Sequence, residues 1–287
     1  MDNILTIRDL KVAFQVKGRD AYALDGINID IPKGKIVGIV GESGCGKSMT
    51  AMSIMGLIKS PGRIVGGSID FCGNELTKMG IRDYANIRGK DISMIFQEPM
   101  TSLNPVVKVG KQVMEAIILH EHISKAEAKQ RVIEIFNEVG IPEAEKRFNS
   151  YPHELSGGLR QRVMIGMAMI CKPKLLIADE PTTALDVTIE AQILRLMKRL
   201  CEESGTSIMM ITHNMGVVAE ICDYVYVMYA GRVAESAPTK ILFNETAHPY
   251  TSGLLKSIPT IGKKQKRLYT IKGNVPNILN LPEGCRF

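Results

Sequence analysis

The sequence predicts an α/β fold with a largely parallel sheet, and two patterns carry this prediction. Short apolar runs with the length and residue types of fully buried strands recur along the chain, and stretches with a helical repeat separate them. Strands that are buried on both faces and alternate with helices are typical of a parallel sheet covered by helices. The predicted strands occupy residues 36–40, 92–96, 175–178 and 207–211.

The first predicted strand, at residues 36–40, leads through a glycine-rich loop into a predicted helix at residues 48–58. Between about residues 98 and 162, amphipathic helices with polar joints replace the alternating pattern. One of them is predicted at residues 125–139, where it ends before a Gly-Ile-Pro segment. We expect this stretch to form a helical insertion in the α/β body.

The second half of the chain returns to alternating strands and helices. Residues 224–229 and 232–234 flank an Ala-Gly pair and predict a closing hairpin. From about Ala237 the chain is richer in proline, which indicates a small appended region. Asp186 is the predicted N-cap of a helix whose apolar face repeats at Ile189, Ile193, Leu196 and Leu200.

Composition limits the class of protein. Of the 287 residues, 45% are hydrophobic and 23% are charged, which is ordinary for a globular protein that can bury a large core. No stretch approaches the roughly 18 consecutive apolar residues of a spanning helix, and the charged start is unlike a signal peptide. The six cysteines form no CxxC pair. We therefore expect a chain that is neither secreted nor membrane-spanning and that works in a reducing cytosol.

The charge balance says little about partners. A net charge of +6 arises from 36 basic and 30 acidic side chains, which is weak evidence for a polyanionic partner. One basic run stands out, at residues 262–267. It is interpreted either as a solvated linker or as a contact with anionic lipid headgroups.

Residues 41–48 read GESGCGKS and fit the phosphate-loop pattern G-x-x-x-x-G-K-[ST]. They follow an apolar strand and precede a helix, which is the context that the pattern requires. Glycines let backbone N–H groups converge on a phosphate, Lys47 can reach the β- and γ-phosphate oxygens, and the Ser48 hydroxyl can ligate Mg²⁺. The predicted ATP-binding residues of this phosphate loop and the residue after it are Gly41, Ser43, Gly44, Cys45, Gly46, Lys47, Ser48 and Met49.

Two carboxylates, Asp179 and Glu180, directly follow the apolar strand at residues 175–178. Ligands of open α/β sheets bind at the carboxyl ends of the strands, so this placement suits a catalytic site. Asp179 is predicted to hold the Mg²⁺ shell, and Glu180 is predicted to accept the proton of the attacking water.

Residues 155–162, LSGGLRQR, resemble the signature motif of the ATP-binding cassette (ABC) ATPases and lie at a family-like distance from the carboxylate pair. Family members most often carry Gln where Leu159 stands, so the contact of that side chain is absent or replaced. The resemblance implies that Ser156, Gly157 and Gly158 contact a nucleotide that is held by a partner ATPase.

Other positions resemble landmarks of the same family. Tyr22 resembles the aromatic residue that stacks on adenine, and Gln97 resembles the glutamine that joins the Mg²⁺ and water site to the helical subdomain. Asp186 resembles the loop that crosses the dimer interface, and His213 resembles the switch histidine that contacts the γ-phosphate. The implied catalytic residues are Glu180, His213 and Gln97, and the implied Mg²⁺ ligands are Ser48, Gln97 and Asp179.

The resemblance also implies an architecture: a P-loop ATPase with a RecA-like core, an antiparallel β subdomain, a helical insertion and a small C-terminal extension. The expected boundaries are residues 1–236 for the nucleotide-binding domain, with the helical subdomain at about residues 98–162, and residues 237–287 for the extension.

The C-terminal segments HPYT, SIP, GNVP and LPEGCRF resemble the tail of dipeptide and oligopeptide importer ATPases, and most closely the first ATPase subunit of the dipeptide importer. In some members, further cysteines of this tail bind a [4Fe-4S] cluster; here the tail has one cysteine, Cys285, so no cluster is expected. We expect the extension to serve assembly and to be largely dispensable for ATP binding. Its expected apolar anchors are Tyr250, Leu254, Leu255 and Ile258.

The sequence therefore predicts a subunit that couples Mg-ATP binding and hydrolysis to the uptake of dipeptides or oligopeptides at the cytoplasmic face of a membrane. The resemblance implies a second ABC ATPase in a heterodimer, two transmembrane permease subunits and an extracytoplasmic peptide-binding protein, with no nucleic acid. Nickel or another small solute is an alternative passenger. A soluble ABC ATPase acting on nucleic acid or ribosomes is disfavoured by the single cassette and mild charge. A regulatory module without catalysis is disfavoured because Glu180 and His213 are both present.

Overall fold

The computed structural model describes residues 2–97, 102–183, 185–258, 269–271, 273 and 275–287. The chain divides into two compact units, one formed by Met1–Met79 with Met209–Phe287 and the other by Gly80–Ile208. Within the described residues, every helix is too short or too polar to qualify as a membrane span. The basic run at residues 262–267 lies outside the described residues.

The secondary structure alternates along much of the chain. The strands are β1 (Asn3–Val16), β2 (Arg19–Pro32), β3 (Ile36–Val40), β4 (Gly62–Phe71), β5 (Asn74–Glu75), β6 (Ile92–Ile95), β7 (Leu175–Asp179), β8 (Ser207–Thr212), β9 (Tyr224–Tyr229) and β10 (Arg232–Pro238). The helices are α1 (Lys47–Ile54), α2 (Ile81–Ile87), α3 (Val109–Ile118), α4 (Lys125–Glu138), α5 (Ala144–Arg147), α6 (Gly157–Met169), α7 (Val187–Ser204), α8 (Met215–Ile221), α9 (Thr239–Asn244) and α10 (Pro249–Lys256).

The first unit contains an antiparallel sheet with the strand order β2-β1-β4-β5. The strand β1 pairs on both sides, so that Ile7 lies opposite Ile29 of β2 and Ile69 of β4. All three isoleucines are fully buried. Cross-strand pairs of β-branched side chains on one face stabilise such a sheet, and the antiparallel subdomain implied by the resemblance is present.

The first unit also holds strands of the core sheet in the order β10-β9-β3-β8. The strand β3 is buried along its whole length and runs parallel to β9, whereas β9 and β10 form an antiparallel hairpin. The predicted strands at residues 36–40 and 207–211 and the closing hairpin are thus confirmed.

The helix after β3 is shorter than the sequence predicts. It begins at Lys47, but it ends at Ile54 rather than at residue 58. Gly56 follows the C-cap residue Met55 with a φ of 61°, a left-handed conformation that ends helices. The apolar residues beyond it continue the pattern in the sequence without continuing the helix.

The second unit pairs β6 with β7 in parallel. The predicted strand at residues 92–96 ends one residue early, and Phe96 is 40% exposed. Helices fill the described part of the stretch from residue 102 to residue 162, as expected for the helical insertion. Helix α4 begins where Ser124 caps it by accepting a hydrogen bond from the Glu127 N–H, at 3.2 Å.

The C-terminal region contributes two short helices, α9 and α10, to the first unit. Of its four predicted anchors, Tyr250 is fully buried, whereas Leu254, Leu255 and Ile258 are half-buried. Among the four predicted anchors, Tyr250 alone is fully buried, and Leu242, in α9, is a fully buried residue of the extension that was not predicted.

Candidate nucleotide site

The phosphate loop connects β3 to α1 in the first unit. Gly41 has a φ of 150°, and a side chain there would place its Cβ 2.2 Å from the Met228 carbonyl oxygen. Only glycine fits so close to another backbone. Gly46 is the N-cap of α1, so the loop presents the free N–H groups at the start of this helix, which favour a phosphate.

Lys47 lies inside the loop, with only 6% of the residue exposed. Its ammonium donates hydrogen bonds to the carbonyl oxygens of Gly41, at 2.7 Å, and Glu42, at 3.0 Å. The loop backbone thus fixes the position of a positive charge beside the N–H groups that suit a phosphate. The predicted contact of Lys47 with phosphate oxygens stays a prediction, whereas its bonds to the loop carbonyls were not predicted.

Two further contacts fix the shape of the loop from outside. The N–H of Gly231, after β9, donates to the Cys45 carbonyl oxygen at 3.0 Å. The Glu42 N–H donates to the hydroxyl oxygen of Tyr250, in α10, at 3.0 Å. Burial raises the pKa of the Cys45 thiol although Lys47 opposes this shift, so the thiol stays neutral.

The other predicted residues of the first unit differ in exposure. Ser43, Gly44 and Ser48 are exposed, so the Ser48 hydroxyl is accessible at the first turn of α1. An exposed hydroxyl oxygen belongs to the class of hard ligands that Mg²⁺ takes, which fits the predicted role. Met49 is half-buried, and so is Tyr22, on β2 opposite Ala13.

His213 is exposed just after β8, the sheet neighbour of β3. Each of these neighbouring strands leads at its carboxyl end into one of the predicted nucleotide motifs. Asn214 turns the chain into α8, since its side chain accepts a hydrogen bond from the Gly216 N–H at 2.9 Å.

In the second unit, the structure brings Gln97 and Glu180 together. Glu180 has a φ of 48°, an uncommon left-handed conformation for a residue with a side chain. Its Oε2 accepts hydrogen bonds from Gln97 Nε2, at 2.8 Å, and from Thr183 Oγ1, at 3.0 Å. Asp179 precedes it at the end of β7 and is 4% exposed. The carboxylate of Glu180 is therefore held in one orientation.

Thr183 is a residue that the sequence analysis missed. Its hydroxyl binds Glu180, and the neighbouring Thr182 hydroxyl donates to Glu190 Oε1 at 2.8 Å. The Pro-Thr-Thr segment directly after the carboxylate pair was the available signal, because a threonine hydroxyl is a hydrogen-bond donor and an ionised carboxylate is an acceptor.

The signature segment forms the start of helix α6. Ser156 is the N-cap, and its hydroxyl oxygen accepts from the Leu159 N–H at 3.4 Å. Ser156 and Gly157 are exposed, as a contact with a partner's nucleotide would require. A Cβ on Gly158 would lie 2.9 Å from Ile189 Cγ2, so the signature packs closely against α7.

Asp186 caps α7, as predicted. Its Oδ1 accepts from the Ile189 N–H at 3.0 Å. Arg162, from α6, adds a second link between the two helices by donating to Gln192 Oε1 at 2.9 Å. The same guanidinium donates to the Val139 carbonyl oxygen at 2.5 Å. The signature helix is thus tied both to α7 and to the end of α4.

Two families match the chain. Residues 24–183 match the ABC transporter family, and residues 234–287 match the C-terminal region of oligopeptide and dipeptide transporters. The two matched segments contain most of the motifs described above, and the second contains Tyr250.

Curated relatives match the chain over its full length. The oligopeptide transport ATP-binding protein AppD of Bacillus subtilis is 54% identical, with 100% of this chain and 88% of the relative covered. The oligopeptide transport ATP-binding protein OppD of Salmonella typhimurium is 51% identical, with 99% of this chain and 84% of the relative covered.

Solved structures share the fold. The ATP-binding cassette MJ0796, solved as a dimer in a post-hydrolysis state bound to ADP and Pi, aligns with a TM-score of 0.73 and 26% identity over 82% of this chain and 98% of that one. The protein cbiO1 from Clostridium perfringens, part of the ABC transporter complex cbiONQ, aligns with a TM-score of 0.72 and 30% identity over 85% of this chain and 92% of that one. The fold class predicted from the sequence is confirmed.

Proposed function

The chain belongs to the ABC transporter family, and from this premise we propose that it is the ATP-hydrolysing subunit of an importer for oligopeptides. The main observation that supports ATP binding is the phosphate loop, in which Lys47 is buried and bonded to two loop carbonyls. The match of residues 234–287 to oligopeptide and dipeptide transporters, together with relatives named for oligopeptide transport, supports peptides as the cargo.

Lys47 and Ser48 would bind the phosphates and their metal. The ammonium of Lys47 would exchange its contacts with the loop carbonyls for contacts with β- and γ-phosphate oxygens. Ser48 and Asp179 supply oxygen ligands of the kind that Mg²⁺ prefers, and bound Mg²⁺ would neutralise charge on the phosphates. Tyr22 would stack on the adenine.

Glu180 would act as the general base. In hydrolysis a water oxygen bonds to the γ-phosphorus while the bond to the bridging oxygen of ADP breaks, and the carboxylate takes the proton of the water. Gln97 and Thr183 hold that carboxylate in place, so its orientation is set before the reaction. His213 would contact the γ-phosphate.

A second cassette would complete each nucleotide site. Ser156, Gly157 and Gly158 would bind the nucleotide that the partner holds, and Asp186 would lie at the interface between the two cassettes. The solved dimer of the ATP-binding cassette MJ0796 supports pairing of this kind. We propose a heterodimer with a related ATPase, docked at the cytoplasmic face of a membrane on two permease subunits that receive peptide from an extracytoplasmic binding protein.

The passenger is proposed at two levels. Oligopeptides are favoured by the relatives, and dipeptides are the narrower cargo favoured by the tail's resemblance to the dipeptide importer. Nickel or another small solute is the alternative. Uptake assays with labelled dipeptide, longer peptide and nickel would separate these three.

Titration with the partner cassette tests the function. The isolated chain is expected to bind Mg-ATP and to hydrolyse it slowly, and turnover per site is expected to rise steeply as the partner is added. Lys47→Ala is expected to weaken ATP binding itself by about 10- to 100-fold, because it removes a charged hydrogen-bond donor. Full activity in a monomeric sample would refute the shared site.

A further inference from the structure

The C-terminal extension contacts the phosphate loop at one point that the proposed chemistry does not use. The hydroxyl oxygen of Tyr250 accepts a hydrogen bond from the Glu42 N–H at 3.0 Å. On its other side, the Glu42 carbonyl oxygen accepts from Lys47 Nζ at 3.0 Å. Glu42 therefore links the extension to the ammonium that is proposed to bind ATP.

Local hydrogen bonds fix where Tyr250 lies. His248 is the N-cap of helix α10, and its Nδ1 accepts from the Tyr250 N–H at 3.1 Å. The carboxylate of Glu235, on β10, accepts from the Ala247 N–H at 2.8 Å and from the His248 N–H at 3.1 Å. The start of the helix is thus bound to the sheet, and the tyrosine is held at a fixed distance from it.

An aromatic cluster fixes the direction of the ring. The Tyr250 ring lies 4.6 Å from the Tyr229 ring and 5.5 Å from the Phe287 ring, measured between centroids. Phe287 is brought there by its neighbour Arg286, which is 8% exposed at the side chain and pairs with Asp25. Tyr250 itself is fully buried, and burial raises the pKa of its hydroxyl, which therefore stays protonated at neutral pH.

We propose that Tyr250 is a positioning residue for the phosphate loop, so that the affinity for ATP depends on the C-terminal extension. This inference rests on the proposed ATP-binding function. Without the hydroxyl, the Glu42 N–H loses its acceptor, and a part-buried donor left unsatisfied is unfavourable. The loop can relieve this by turning the Glu42 backbone, which would displace one of the two carbonyls that hold Lys47. The contact also argues against our expectation that removal of the extension leaves ATP binding intact.

The test compares two substitutions in the full chain that each remove one hydroxyl from the same cluster. Tyr250→Phe keeps the ring and removes the acceptor of the Glu42 N–H. Tyr229→Phe is the matched control, because within the described residues no hydrogen bond joins its hydroxyl to the loop. Affinity is measured by titration with a fluorescent Mg-ATP analogue, and thermal unfolding is measured on the same samples.

We expect Tyr250→Phe to bind the analogue about 3- to 10-fold more weakly at a temperature where it is fully folded, and Tyr229→Phe to bind like the wild type. In the assembled transporter, KM for ATP is expected to rise more than kcat falls, because the loop binds phosphate before and during the reaction. A role confined to stability would move the melting temperature and leave both affinities equal, which would overturn the proposal.

Hydrogen exchange provides a second measurement, and the part of it made on the wild type does not depend on the variant folding. The Glu42 amide of the wild type is expected to exchange slowly, and in Tyr250→Phe its exchange is expected to become faster. Exchange of the wild-type amide at the rate of an exposed loop would also overturn the inference. If the wild type bound no ATP at all, both the proposed function and this inference would be wrong. If the wild type bound ATP and Tyr250→Phe bound it with the same affinity, only the inference would be wrong.

Discussion

Glu180 is held by Gln97 and Thr183 on a backbone in the left-handed region, and such strain is found where the surrounding structure over-determines a residue. Glu180→Gln should keep the affinity for ATP and slow hydrolysis by about 10²- to 10⁴-fold, or roughly 3 to 5 kcal/mol of barrier, because the amide cannot take the proton. Turnover and nucleotide affinity are measured in the assembled transporter. Glu190→Gln makes the same chemical change at a carboxylate that binds Thr182, and it should keep its turnover. Near wild-type turnover in Glu180→Gln would show that Glu180 is not the general base.

Individual residues of the site differ in whether their contacts could be predicted from the sequence. The phosphate loop and the two carboxylates follow from motif and context, because each is local in the chain. Gln97 bonds to Glu180 across 83 positions, and this hydrogen bond was not predicted, since the family resemblance implied only that Gln97 belongs to the Mg²⁺ and water site. The contact of Tyr250 with Glu42 spans 208 positions and was not predicted, because no local pattern encodes which backbone N–H a buried tyrosine meets.

The close packing of α6 against α7 leads to a prediction about glycine. Gly158→Ala would put a Cβ 2.9 Å from the Cγ2 of Ile189, a β-branched side chain with few alternative rotamers. We expect a loss of about 1 to 3 kcal/mol in the free energy of unfolding. In Gly157→Ala the nearest atom, Leu185 Cδ2, is 3.9 Å away, so this control should be no less stable than the wild type. Urea unfolding of the full chain measures both. Equal stabilities would show that the two helices do not meet tightly.

The anchoring of α10 on β10 should depend on pH. Burial tends to raise the pKa of Glu235, but hydrogen bonds from the N–H groups of Ala247 and His248 oppose this effect, and the pKa lies below the ordinary value of 4.5. A carboxylate whose pKa is lower in the folded than in the unfolded chain stabilises the fold at pH values above its unfolded pKa. This stability is lost as the pH falls through the folded pKa.

Glu235→Gln is therefore expected to be less stable than the wild type at neutral pH and to lose less stability between neutral pH and about pH 3. Urea unfolding at a series of pH values measures the difference. Glu220→Gln alters an exposed carboxylate on another helix and should follow the wild-type curve. Parallel curves for all three chains would show that Glu235 does not anchor the extension.

The types of the helices and strands were predicted better than the residues at which they end. The strands, the hairpin and the capped start of α7 are confirmed, because hydrophobic period and capping residues are written in the local sequence. The end of α1 was wrong by four residues, because apolar residues after Gly56 continue the helical pattern although the glycine backbone ends the helix. Tyr250 was expected to be an apolar anchor of an extension that contributes none of the nucleotide motifs, and the structure also places its hydroxyl against the phosphate loop.

The whole chain is a cassette that contains ATP chemistry and, by similarity, a peptide-transporter extension. The family matches cover residues 24–183 and 234–287, so both features belong to one polypeptide. A cassette without a membrane partner could only hydrolyse ATP, whereas an importer subunit must link each hydrolysis to movement of a peptide. Coupling is thus the property that separates the proposed function from simple ATPase activity.

ATP-driven uptake of a labelled oligopeptide into vesicles that contain the permeases, the second cassette and this chain tests that coupling. The expected result is uptake that requires ATP in the wild type, falls with Lys47→Ala because nucleotide binding is lost, and falls with Glu180→Gln although nucleotide still binds. Hydrolysis without peptide accumulation in the wild type, or uptake at the wild-type rate in Glu180→Gln, would contradict the account.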